Sequence, residues 1–177
     1  MKLLSHSGMR VVDLPGRFSK WHAQRMKKAL LLAVGAACLF WSVLLKAQDK
    51  GYWRAESSNA NQITGDIAIS ESRLTINFVG YSLAPIRKLT PAEAASAFDV
   101  DVNTAGNGNL YRLSIPGDKR FLHHNTLCGS DETQWMATYV EARTLHVALF
   151  SGSEMPIFTA ESLSSSSDVC GIFSYAR

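Results

Sequence analysis

From Gly51 onward, apolar and polar residues alternate with a period of two. Ile63, Gly65, Ile67 and Ile69 take turns with Thr64, Asp66, Ala68 and Ser70; after Glu71 and Ser72, Leu74, Ile76 and Phe78 take turns with Thr75 and Asn77. Successive side chains on a strand point to opposite faces, so two such runs joined by a short polar break predict a β-hairpin. The same period recurs at Tyr111/Leu113/Ile115, Trp135/Ala137/Tyr139, Leu145/Val147/Leu149 and Val169/Gly171/Phe173/Tyr175. Weaker runs lie at residues 52–57, 82–88, 119–123 and 155–159. About eight to ten short strands in one chain of this size predict a mainly β fold, a single antiparallel barrel or sandwich. One helix interrupts them at about residues 91–98: Thr90 is a capping residue, Pro91 occupies the first helical position, and Glu93 completes a capping box. Polar, glycine-rich and serine-rich stretches at residues 103–109, 116–118 and 162–168 read as loops.

The pattern before Gly51 is different. Arg25, Lys27 and Lys28 precede an uncharged apolar run over residues 29–45, and Lys46, Ala47, Gln48 and Asp49 restore polarity. Basic flank, apolar run and small-residue exit are the order of a secretory signal, with Ala47 as the expected cleavage position. The run is slightly long for a signal and slightly short for a membrane span, so an uncleaved single-pass anchor is the alternative. Either way the basic flank stays inside and the following domain is exported, to the periplasm or beyond, with membrane contact only through this N-terminal segment if it is kept. Translation from Met26 would give a compact signal without preamble. Cys38 lacks the large aliphatic residue three positions earlier that a lipidation site needs. The organisation expected is therefore residues 1–47 as extension plus signal, and residues 48–177 as one exported β domain.

Charge sharpens this division. The whole chain has a net charge of +3. Residues 1–47 hold eight Lys/Arg against Asp13 alone, whereas residues 48–177 hold ten against fourteen Asp/Glu. The exported part is mildly acidic, and it has no basic stripe with which to neutralise phosphates, which argues against a nucleic-acid partner. It keeps two cysteines, Cys128 and Cys170. Two is what one disulfide requires in an oxidising compartment, and a pair of buried thiols is the alternative.

The opening Gly51-Tyr52-Trp53, followed by an antiparallel meander, resembles lipocalins and related calycin barrels. That resemblance implies that Trp53 closes one end of a barrel and that an arginine from near the C terminus covers it, with Arg177 the conceivable counterpart. It also implies an internal cavity for a small apolar ligand.

Catalytic and metal chemistry find little support. His123 and His124 are neighbours that a strand would point to opposite faces, and His146 lies among Leu145 and Val147, so ordinary histidines are the simpler reading and no metal or other cofactor is expected. Ser151 and Ser153 flank Gly152 without forming a nucleophile elbow, and turn chemistry accounts for them. Asp131 and Glu132 are adjacent in a turn, which gives no control over the separation of the two carboxylates. Residues 106–109 have too few glycines, and no following helix, to cradle a phosphate. The aromatics Trp53, Phe78, Tyr111, Phe121, Trp135, Tyr139, Phe150, Phe173 and Tyr175 sit mostly at period-two positions and predict a core; of these, Trp53, Trp135 and Tyr139 are the candidates for a ligand pocket.

The expectation is a non-catalytic exported binding protein that holds a small apolar molecule in its barrel or an envelope protein on its surface. An envelope-associated interaction or inhibitor-type factor is the second reading, and an enzyme with an unrecognised site the third.

Overall fold

A computed structural model of the chain describes residues 48–177. Met26, Cys38, Ala47 and the apolar run at 29–45 lie outside the described residues. Eight strands, β1 (Gly51–Ala55), β2 (Ile67–Ile69), β3 (Arg73–Ile76), β4 (Val79–Lys88), β5 (Gly106–Ile115), β6 (Thr133–Glu141), β7 (Thr144–Phe150) and β8 (Val169–Ala176), pair in sequence order. Every pairing is antiparallel, and β1 returns to β8 through Arg54 opposite Ala176 and Ala55 opposite Tyr175, closing the barrel. Closure removes the exposed sheet edges that an open meander would leave. Two short helices, α1 (Pro91–Phe98) and α2 (Ala160–Ser165), a π-helical turn (Ala60–Thr64) and a 3₁₀ turn (Leu122–His124) complete the described chain. Among the described residues no helix is long and apolar enough to cross a membrane.

The apolar residues divide into two layers. Trp53, Ile67, Ile69, Leu74, Ile76, Tyr81, Leu83, Tyr111, Leu113, Ile115, Met136, Val140, Leu145, Val147, Leu149, Phe173 and Tyr175 point into the barrel, joined by Phe121 and Leu127 from the β5–β6 connection. Leu110, Trp135, Ala137, Tyr139, Ala148 and Phe150 face outward from β5, β6 and β7. They are covered by Leu89, by Ala94, Ala97 and Phe98 of α1, and by Phe158 from the segment after β7. β6 and β7 are therefore largely buried on both faces, and β5 is so around Leu110. That double burial corrects the expected phase of β6: Trp135, Ala137 and Tyr139 alternate as read, but on the outer face, and Met136, Thr138 and Val140 are the inward set.

Other departures from the pattern have local causes. Ile63 lies in the π-helical turn rather than on a strand, and Gly65 ends that turn at φ +61°. Residues 119–123 form no strand; His123 and His124 both take positive φ within the 3₁₀ turn. Residues 155–159 are irregular, and part of the serine-rich loop is α2, capped by the Thr159 side chain. Residues 106–109 belong to β5 instead of a loop. Gly106 permits this because a Cβ there would come within 2.3 Å of the Tyr139 ring. Phe78 leaves the strand altogether and occupies the β3–β4 turn.

α1 forms as its capping signal predicts. Thr90 Oγ1 accepts from the Glu93 amide at 3.3 Å and the Glu93 carboxylate accepts from the Thr90 amide at 2.8 Å. Arg87 adds a bidentate pair to the same carboxylate at 2.7 and 2.8 Å, fixing the helix to the end of β4.

A disulfide joins Cys128, in the β5–β6 connection, to Cys170 at the start of β8. The loop across that end of the barrel is tied to the strand beside it.

Candidate functional site

The sequence-predicted residues fall into three places. Trp53 lies inside the barrel, fully buried, and its indole N–H donates to the Asp49 carbonyl at 2.7 Å. The Arg177 guanidinium stacks over its ring at 4.3 Å from the centroid and donates to the backbone carbonyls of Lys50 at 3.2 Å and Gln48 at 3.1 Å. One arginine thus covers the tryptophan and pins the chain that leads into β1. The Arg177 carbonyl in turn accepts from the Arg143 side chain, and its amide donates to the Arg143 carbonyl, tying it to the β6–β7 turn.

Trp135 and Tyr139 lie in the outer layer, on the opposite side of the barrel wall from Trp53. Arg112 stacks on Trp135 at 4.4 Å, and the Trp135 indole N–H is buried without a hydrogen-bond partner. Tyr139 stacks with Phe98 at 6.0 Å, and the His146 ring lies 6.4 Å from it. The three aromatic candidates are not gathered into one pocket.

Asp49 is the residue that sequence reasoning passed over. It is only 4% exposed, and its Oδ2 accepts from Asn109 at 2.9 Å, the Tyr111 hydroxyl at 2.5 Å and Thr138 at 2.8 Å. Burial, and then the bond to this carboxylate, push the Tyr111 hydroxyl far above its ordinary range. With Trp53 and Arg177, this cage closes the base of the barrel. No short-range pattern pointed to it because the donors are 60, 62 and 89 residues away along the chain.

The middle of the barrel interior is tightly packed. Trp53, Leu74, Ile76, Ile115, Met136, Val140, Leu145, Val147, Leu149, Phe173 and Tyr175 each retain at most 2% of their surface. A water-sized void against them would leave accessible surface, and they have almost none. One polar atom within this layer stands out: the Tyr81 hydroxyl is buried without a hydrogen-bond partner, and burial raises its pKa. One depression of about 290 Å³ opens at the Asp49 end, bordered by Asp49, Asn109 and Tyr111, and three more lie on the outside. One of about 210 Å³ runs between the end of β7 and α2, bordered by Phe150, Met155, Ile157 and Leu163. Another, open and about 600 Å³, is lined by Arg73, Ser82, Arg112, Glu132 and Gln134. A third, about 270 Å³, lies beside the β3–β4 turn.

The residues with chemistry are dispersed. Among the described residues no group of three or more His, Cys, Asp or Glu is placed to hold a metal ion. His123 contacts the Gln62 carbonyl at 3.1 Å across the barrel end, whereas His146 is on the outer face of β7. Ser151 faces the Asp168 carbonyl, and the Ser153 carbonyl accepts from Arg112 at 3.1 Å. Glu132 accepts from Ser114. A serine–histidine contact that the sequence did not flag joins Ser174 to His146 Nδ1 at 3.2 Å across β7 and β8. Desolvation lowers the His146 pKa, and the ring is walled by Phe98 and Tyr139, so the contact reads as part of the outer packing. Compared with protein-family models, curated proteins and solved structures, the chain matches none of them.

Proposed function

We propose that residues 48–177 are a non-catalytic exported binding protein of lipocalin-like build that engages an envelope protein through its outer surface. The observation that carries this reading is the tightly packed middle of the barrel. Side chains occupy the space in which a calycin would hold a ligand, so the barrel serves as a rigid scaffold and recognition falls to what it displays. The Arg177-over-Trp53 closure supports the calycin-like resemblance, and the Cys128–Cys170 disulfide is consistent with export. The loop after β7 is the favoured contact surface. Met155 and Ile157 are 47% and 67% exposed beside a groove, on a segment held at one end by Arg112 and at the other by Phe158 against Phe150. Such exposed apolar groups on a fixed support are the usual make-up of a protein-binding patch.

A second reading, an apolar ligand inside the barrel, draws on the orphaned Tyr81 hydroxyl, which would pair with a polar group of the guest after the core had rearranged.

Pull-down from the envelope fraction with the exported protein, alongside Ile157→Asp, separates the two. The surface reading expects a captured protein that is lost with Ile157→Asp, and tryptophan fluorescence unchanged across fatty acids and haem. A saturable fluorescence change that Tyr81→Phe weakens, with no capture dependent on Ile157, would transfer the case to the interior ligand.

A further inference from the structure

The segment after β7 differs in charge from the rest of the domain. Residues 151–169 hold Glu154, Glu161 and Asp168 and no lysine, arginine or histidine. Of the fourteen Asp/Glu in residues 48–177, the other eleven are nearly matched by ten Lys/Arg, so the acidity of the domain is concentrated here. Glu154 and Asp168 border the groove of about 210 Å³ whose apolar wall includes Phe150, Met155, Ile157 and Leu163. Among the described residues neither carboxylate has a hydrogen bond or an ion pair. The cations nearby are engaged elsewhere. Arg112 stacks on Trp135 and donates to Gln134 and to the Ser153 carbonyl, and Arg87 is paired with Glu93.

The frame of the groove is fixed before anything docks. Phe158 meets Phe150 edge-on at 5.8 Å, the Ser151 amide donates to the Asp168 carbonyl at 2.9 Å, and the Thr159 hydroxyl accepts from the Ser162 amide at 3.2 Å. Gly152 makes room for the Asp168 carboxylate. A Cβ there would come within 2.5 Å of Asp168 Oδ2, so a larger residue would push that carboxylate from its place at the border.

Given a surface-binding role, on which this inference rests, we propose that the groove takes a short cationic and apolar segment of the partner protein. One large apolar side chain seats against Met155 and Ile157, and a lysine or arginine on the adjoining residue faces Glu154 and Asp168. An apolar side chain brought into this groove also takes water from the two carboxylates, and a carboxylate that loses water without gaining a cation opposes binding. A neutral apolar segment is therefore held weakly and an acidic one is repelled. Only a segment that supplies its own cation compensates for the water it displaces. The groove has room for one large side chain, so the cation has to come from a residue next to the inserted one.

The test uses the full-length chain, labelled with nitrogen-15 and purified from the expressing cells, and three short synthetic peptides. Their sequences are identical except that a central leucine is flanked by lysines, by serines or by glutamates. The lysine peptide should shift the amide signals of Met155, Ile157 and Leu163 saturably, with a Kd on the order of 1 mM. The serine peptide should act on the same signals about fivefold more weakly, and the glutamate peptide should not saturate. Raising NaCl from about 50 to about 500 mM should erase the advantage of lysine. So should Glu154→Gln combined with Asp168→Asn, which removes the charges without weakening the serine peptide. Lysine and serine peptides that bind the groove equally, or a lysine advantage that the double variant retains, overturn the cationic requirement and leave the surface role standing. A lysine peptide that shifts other signals, or none, overturns the inference outright; the surface role is then decided separately, by whether capture from the envelope fraction depends on Ile157.

Discussion

At the scale of single residues, the base of the barrel depends on Asp49 and Arg177. Asp49 receives three side-chain donors on one oxygen while almost wholly buried. Asp49→Ala would leave the Tyr111 hydroxyl, the Thr138 hydroxyl and the Asn109 amide unpaired, and orphaned buried groups cost more than the bonds themselves contribute. The expected loss is about 3 kcal/mol, read as a lower urea midpoint at unchanged m-value. Arg177→Ala removes the stacking on Trp53 and both bonds to the chain before β1. It should cost about 1–2 kcal/mol and shift Trp53 emission to longer wavelength as water reaches the indole. The sequence offered a partial view of this site. Trp53 and Arg177 could be paired through their positions in a familiar arrangement, but Asp49 looked like the polar exit of an export segment. Its role depends on donors from β5 and β6, which only the closed sheet brings to it.

At the scale of elements, α1 shows local signals and tertiary contacts acting together. Its start was readable from Thr90, Pro91 and Glu93, because capping is decided within one turn. The partner of Glu93 was not readable: Arg87 on β4 holds the carboxyl down to about 2 from an ordinary value of 4.5. A folded-state value below the unfolded one gives stabilisation that is complete above about pH 4.5 and is lost as pH falls towards 2. Glu93→Gln should therefore cost about 1 kcal/mol at pH 7, the part-exposed setting of the pair limiting the effect. It should also flatten the acid limb of the stability curve between those two pH values, as followed by thermal melts. β6 shows where element-scale reading fails. Its residues are apolar on both faces, so a period of two fixes the alternation but not which set faces the barrel. The choice was made by α1 and Phe158, which cover the outer set.

At the scale of the whole molecule, β8 pairs with β1 to close the barrel, and the Cys128–Cys170 disulfide ties the β5–β6 connection to the start of β8. The bridge spans 42 residues, and by loop entropy it stabilises the fold by about 4 kcal/mol. Reduction, or Cys128→Ser with Cys170→Ser, should lower the free energy of unfolding by that amount, read from urea titration, while far-UV circular dichroism stays β-like at low temperature. Loss of the β signal on reduction alone would mean that the bridge is needed to form the barrel at all.

The sequence by itself determined that this is a mainly β domain with one capped helix near residue 91 and two cysteines available to each other. Alternation, capping and cysteine count are local or compositional properties, carried by residues close together or merely counted. Tertiary structure decided that the sheet closes with eight strands, which face of β6 turns inward, that the middle of the barrel is tightly packed, and that Asp49 is buried. Each of these depends on side-chain volumes and partners contributed by distant strands. It also decided the fate of Phe78. The alternating pattern assigned Phe78 to the core, but a two-residue turn between directly paired Ile76 and Val79 leaves no strand position for it, and its ring projects into solvent.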